Sequence, residues 1–251
     1  MTCKNCFVEF DSRFCPSCGQ KADVHRLTVG HVMHEALHSV THADKGLLLL
    51  VKKLLTKPGI VAREYVEGRR KAYFNPLTFL VIASALFYYF DSVTGYMDAI
   101  MRGSGRAGGT QRPSAEMMEV FGIVKHSGKW LTLLFIAPLS AALSWIFFYG
   151  KKFNYAEHFI LHALIFGEAA LFRLVVIIPL YLIFPDKGSL LTYTVYEPVF
   201  IIYLIVAYYQ FFKQRIVFVT IKAILIRILF VAFYWALLYL YVAVKGLIFG
   251  H

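Results

Sequence analysis

Long apolar runs constrain this chain more than any other feature. Four are long enough to cross a bilayer: about Trp130 to Tyr149, Tyr155 to Phe184, Leu190 to Phe212 and Ile216 to Phe249. A fifth, Pro76 to Phe90 ("PLTFLVIASALFYYF"), is borderline and needs flanking residues to approach the roughly 20 that a span requires. Apolar residues make up 59% of the chain and charged residues only 16%, too few to cover a water-facing surface. The expected fold is an all-α integral membrane protein with a five-span helical bundle at 73–251. Pro179 is the expected site of a bend in the third span.

The net charge of +11 has to be explained by position. Twelve Lys and Arg precede Asn75, with Arg69-Arg70-Lys71 next to the first span. Lys151-Lys152 occupy the third connection, and Lys213 and Arg215 the fifth. The long second connection spreads its basic residues among acids, and the fourth has only Lys187. That alternation predicts a cytoplasmic N-terminus, a periplasmic C-terminus and contact with anionic headgroups. Nucleic acid is not an expected partner, because no basic, aromatic-studded surface of adequate size lies outside the apolar runs. The opening MTCKNCFVEF has neither an apolar segment nor a cleavage site, so the spans themselves are expected to direct insertion.

The four cysteines, Cys3, Cys6, Cys15 and Cys18, lie in "CKNCFVEFDSRFCPSCGQ". Two C-x2-C pairs supply four thiolates for one tetrahedral structural zinc, and residues 1–22 read as a small cytoplasmic ribbon. Disulfides fit poorly in a reducing compartment. Four Cys ligands leave no open coordination position, so such a site stabilises or docks and does not catalyse.

Residues 28–72 read as an amphipathic, interfacial neck. From Thr28, a plausible N-cap, a helix places His31, His34, His38 and His42 along one face. Within it "HEALH" spells the H-E-x-x-H motif, in which His34 and His38 would hold a metal and Glu35 would activate its water. Asp44 and Glu64 are the candidate third ligands, but no extended active-site signature follows. A solvated or headgroup-contacting face is the simpler reading, and a second metal on the stripe is the alternative. The run Leu47 to Leu55, interrupted by Lys52-Lys53, reads as a helix lying in the interface. Residues 92–128 form a flexible periplasmic loop containing "RGSGRAGGTQRP", followed by a short amphipathic helix from Ser114. No internal repeat is visible.

The segments "RLT" at 26–28, "DKG" at 44–46, "KPG" at 57–59, "REYVEGRRKAYFNPLTFL" at 63–80 and "NYAEHF" at 154–159 resemble an uncharacterised bacterial membrane family, domain of unknown function 3667. The resemblance implies an N-terminal zinc ribbon followed by several spans, in a bacterial inner membrane. It implies no activity.

Ionisable residues inside spans are costly and are functional candidates by default. Glu157, His158 and His162 are expected near the cytoplasmic end, level with Lys222. Glu168 and Arg227 are expected near the midplane as partners, and Arg173 and Glu197 in the outer half. Three function classes follow. The leading one is a non-enzymatic module whose ribbon docks a cytoplasmic partner while the bundle serves permeation or membrane organisation. The others are a transporter or channel for a proton, ion or small polar substrate, and a membrane-proximal metalloprotease. A homo-oligomer is compatible with all three.

Overall fold

A computed structural model describes residues 1–30, 32, 46–100, 122, 130, 132–150 and 152–249. HEALH, the histidine stripe, Asp44, the Gly-rich linker and the helix expected after Ser114 lie outside the described residues. Among the described residues the chain is helical, with no strand and two isolated bridges in the ribbon.

Among the described residues from Gly46 on, two short helices precede the bundle. Helix α1 (Gly46–Leu54) buries Leu50 and Leu54 and leaves Leu48 80% exposed, so it carries apolar surface on both faces. In an interfacial helix the outer face meets acyl chains. Helix α2 (Pro58–Glu67) starts at proline, whose missing N–H costs nothing in a first turn. It stops at Gly68, where φ of 118° suits glycine. Gly46 packs against the backbone at Tyr73 and Phe74, where an added Cβ would meet Phe74 N at 3.1 Å.

Four helices are long and apolar enough to cross a membrane: α3 (Pro76–Thr94), Tyr155–Ile183, Pro185–Phe212 and Ile216–Val244. Asn75 caps α3, its side chain accepting from Leu77 N–H at 2.9 Å and Thr78 N–H at 3.2 Å. The second apolar run forms a shorter helix, α4 (Ala137–Phe147), continuous with a wide turn at Thr132–Ile136. Its apolar part, Leu134–Phe147, is shorter than the other four.

The third span comprises α5 (Tyr155–Phe172) and α6 (Ile178–Ile183), joined by a π-helical segment, Arg173–Ile177. Another such segment, Leu191–Tyr196, leads into α7 (Glu197–Phe212). The last helix is α8 (Ile216–Phe249). All three π segments end two residues before a proline: Pro138, Pro179 and Pro198. Proline has no N–H and its ring clashes with the carbonyl four residues back, so the helix widens rather than breaks. The bend expected at Pro179 is therefore one of three local widenings.

Helix α5 sits at the centre, against α3 on one side and α4 on the other, while α2 lies across α7. The polarity of the helices follows from their ends. The start of α3, the end of α4, the start of α5 and the end of α7 all lie beside the ribbon or α2. Tyr88 bonds Thr132 at 3.1 Å and Tyr96 bonds Thr192 at 2.6 Å on the far side.

Candidate metal centre and its clasp

The four sulfurs lie within 4.8 Å of one another, with Cys3–Cys18 at 3.6 Å and Cys6–Cys15 at 3.5 Å. Tetrahedral zinc with bonds of about 2.3 Å places sulfurs about 3.8 Å apart, so the residues fit a four-thiolate metal site. Asn5 N–H donates to Cys3 Sγ at 3.4 Å. The Cys6 backbone N–H first, and then that of Asn5, hold the Cys3 thiol down to about 6 against the opposing effect of burial. Amide donors favour the thiolate form that a metal needs.

The ribbon is an internal repeat, contrary to the sequence reading. Cys3 N–H donates to Val8 O and Cys15 N–H to Gln20 O; Phe7 N–H donates to Cys3 O and Gly19 N–H to Cys15 O. The bridges Thr2–Glu9 and Phe14–Lys21 repeat with the same twelve-residue offset. Phe7, with φ of 62°, and Gly19, with φ of 71°, occupy the same left-handed position after each pair. Only the cysteines repeat in type, so the symmetry lies in the backbone and was hard to see in the letters.

The ribbon does not stand apart from the bundle. Asn5 Oδ1 accepts from Ala72 N–H at 3.0 Å, and Gln20 Oε1 accepts from Lys71 N–H at 3.3 Å. The segment after it is tied to the start of α5. Arg26 donates to both oxygens of Glu157, at 2.9 and 3.0 Å, and to Lys152 O at 2.6 Å. Asn154 Nδ2 donates to Leu27 O at 3.0 Å. Asn154 and Glu157 also close a capping box at the head of α5. Arg70 donates to His25 O at 2.6 Å. A pocket of about 350 Å³ lies at this junction, lined by Lys4, Arg26, Lys152 and Glu157 among others.

A second polar knot holds α1, α2 and the head of α3. Tyr73 Oη donates to Glu64, Lys53 Nζ donates to Tyr73 Oη at 3.0 Å, and Arg69 pairs with Glu64 at 3.0 Å. Burial, then the Glu64 carboxylate, raise the Tyr73 hydroxyl well above its ordinary range, which keeps it a donor. Glu64, a candidate third ligand for the HEALH motif, is thus engaged with Tyr73 and Arg69.

The membrane charges sit differently from the expected layers. Glu157 pairs with Arg26, and Lys222 Nζ lies over the Phe148 ring at 4.6 Å. Arg227 pairs with Glu197 at 2.6 Å, not with Glu168. Arg173 stacks 3.9 Å from the Tyr196 ring centre. Rise per residue gives a position along one helix, but which residue faces which depends on how each helix is offset and rotated against the next, and that is where the expected pairing failed. Sequence reading also missed Ser144 and Tyr208, which bond His158 and His162. Their small polar character in apolar runs was the only available signal.

The Arg227–Glu197 pair gives a double-mutant test. Changing each to Leu, singly and together, should show a coupling of about 1–3 kcal/mol in unfolding stability, while Arg227 and Glu168 should behave additively. Coupling to Glu168 in place of Glu197 would contradict this geometry.

The fold and site define a class: an all-helical chain with four membrane-length apolar helices and a four-cysteine site fitted for a metal at one end. Within that class, the model of a family described as "Protein of unknown function (DUF3667)" matches residues 44–88, the stretch from the head of α1 to Tyr88. This is the family that the sequence resembles. Neither the curated proteins nor the solved structures give a match.

Proposed function

We propose that the chain is a non-enzymatic, multi-pass membrane protein in which a zinc-folded ribbon is a cap locked onto one end of the bundle. The bundle serves permeation or membrane organisation. The observation that carries this reading is the clasp: Asn5, Gln20 and Arg26 bind Ala72, Lys71 and Glu157 of the membrane region. The segments through which the chain resembles its family, RLT, NYAEHF and 63–80, meet at this clasp. Phe7, Val8 and Phe14 stay exposed on the ribbon and are the surface left for a cytoplasmic partner.

Five crossings fit the polarity of the helix ends better than four. Residues 132–147 run from Thr132, beside Tyr88 on the far side, to the ribbon side, where Phe148 stacks on Phe212 at 3.8 Å. With the basic residues this supports an inner-membrane protein with its ribbon in the cytoplasm and its C-terminal helix running outward.

Arg26→Ala tests the cap. It leaves the Glu157 carboxylate, which is nearly buried, without its cation, at a cost of about 1–3 kcal/mol. Trypsin should then cut at Arg13 and Lys21 several-fold faster while the bundle stays helical. An unchanged rate would mean that the ribbon is a free module.

A second reading, a transporter or channel, is favoured by polar atoms in the membrane region that have no hydrogen-bond partner among the described residues: His158 Nε2, His162 Nδ1, Glu168 Oε2 and Arg173 Nε. Buried polar groups are normally satisfied, so such a group calls for water or a solute.

A further inference from the structure

Helix α5 buries two imidazoles one turn apart, and a continuous hydrogen-bonded chain joins them. His158 Nδ1 lies 2.8 Å from Ser144 Oγ, and Ser144 Oγ lies 3.0 Å from His162 Nε2. Tyr208 Oη bonds the same His162 nitrogen at 3.1 Å, as a branch. The two ring nitrogens outside this chain, His158 Nε2 and His162 Nδ1, have no hydrogen-bond partner among the described residues, although the residues are 0% and 1% exposed. One therefore stands at each end of the chain. A cluster serving only to pin helices would satisfy its terminal atoms or do without them. Six residues deeper on α5, Glu168 offers another buried oxygen with no partner.

We propose that the bundle conducts protons and that His158, Ser144, His162 and Glu168 form the ribbon-side half of the path. This rests on the permeation reading above and names the species that moves. A proton binds at His158 Nε2 and the proton on Nδ1 passes to Ser144 Oγ. The hydroxyl's own proton passes to His162 Nε2, and the proton on His162 Nδ1 leaves towards Glu168. One proton enters and one leaves, and no bond between heavy atoms changes. To reset, the hydroxyl turns, with the Ala141 carbonyl 3.0 Å away as its alternative acceptor, and each imidazole, left with its proton on the other nitrogen, flips its ring to restore the starting tautomer. Six residues of rise place Glu168 about 9 Å beyond His162, a gap for water to bridge.

The surroundings suit this role. The Glu157 carboxylate is neutralised by Arg26, and the Lys222 ammonium lies against Phe148. Of the other titratable groups, Tyr208 touches the chain as its branch, and the Glu197–Arg227 pair belongs to the outer half. The rings of Phe211 and Phe212, at the ribbon-side end of α7, pack against that of His158, centred 6.4 and 5.2 Å from it. Access to Nε2 is through movement of these rings.

The test uses the full chain in lipid vesicles with a potassium diffusion potential and an internal pH dye. Wild type should carry protons faster than protein-free vesicles. Ser144→Ala, which interrupts the chain without changing charge, should slow the flux at least about tenfold. Ser144→Thr, which keeps the hydroxyl, and Tyr208→Phe, which removes only the branch, should retain most of it. If Ser144→Ala does not fold, Glu168→Gln carries the same expectation, with folding of each variant checked by thermal unfolding. No proton flux in wild type, or full flux in either folded variant, overturns the relay. Vesicles that pass potassium or chloride but no protons would leave the permeation reading standing and overturn this one.

Discussion

A Cys15→Ser chain should purify without bound zinc, with residues 1–22 unfolded and the bundle still helical. The ribbon has almost no apolar interior: beyond its cysteines, Met1, Phe7, Val8 and Phe14 are exposed, and Phe10 and Ala22 are only half-buried. Its backbone hydrogen bonds and two bridges could not hold twenty residues together. Structural zinc binding supplies about 10–16 kcal/mol in comparable small modules, so a bound zinc would supply most of the ribbon's folding free energy. A serine hydroxyl does not replace a thiolate. Metal content measured on the purified variant and on wild type, which should hold one zinc, checks this. Wild type with two zinc ions would bring the histidine stripe back into account. Retention of zinc by the variant would show that the four thiolates do not share one ion.

The second large effect is expected at Gly59. Helix α2 crosses α7 so closely that a Cβ on Gly59 would overlap the Ala207 carbonyl oxygen and lie 2.6 Å from Phe211 N and 2.7 Å from Gln210 Cβ. Two of these are backbone atoms of a membrane helix and cannot rotate away. The approach also brings Gly59 N–H to Gln210 Oε1 at 3.1 Å and Gln210 Nε2 to Thr56 O at 3.0 Å. Even Gly59→Ala should therefore cost about 3 kcal/mol or more, by forcing the helices apart and breaking both bonds. Gly167→Ala is the control. The nearest atoms its Cβ would meet belong to the Phe79 ring, from 2.5 Å, and a side chain can shift at lower cost than a helix backbone. Thermal unfolding in detergent should rank Gly59→Ala well below Gly167→Ala. Equal losses would mean that α2 does not lie on α7 as described.

What the sequence revealed and concealed follows the range of each interaction. Local patterns carried the membrane-length helices, because length and hydropathy set a span: Tyr155–Ile183 and the α8 helix start where the apolar runs start. The cysteine spacing located the four-thiolate cluster, because two C-x2-C pairs bring four sulfurs within a few ångströms, the set that a tetrahedral ion would need. The pairing of Arg26 with Glu157, 131 residues apart, was not legible, since nothing in either segment encodes the other's position. The "RLT" and "NYAEHF" segments were singled out by resemblance alone, and the clasp gives them a physical reason. The charge layers failed at Arg227 for the same reason of range: rise gives a position along one helix, but the offset and rotation of the helices against each other chose Glu197. The three widened turns were legible in principle, since Pro138, Pro179 and Pro198 each stand inside an apolar run.

The central claim is that the metal holds the bundle end as well as the ribbon, and two amides report on it directly. Lys71 N–H and Ala72 N–H donate to Gln20 and Asn5 of the ribbon. Hydrogen exchange should be compared between zinc-loaded and chelator-stripped protein in detergent, peptide by peptide. Stripping should speed exchange across residues 1–22, and also across 69–73 and 154–158, where the clasp engages the heads of α3 and α5. Faster exchange confined to residues 1–22, with Lys71 and Ala72 as protected as before, would contradict the account.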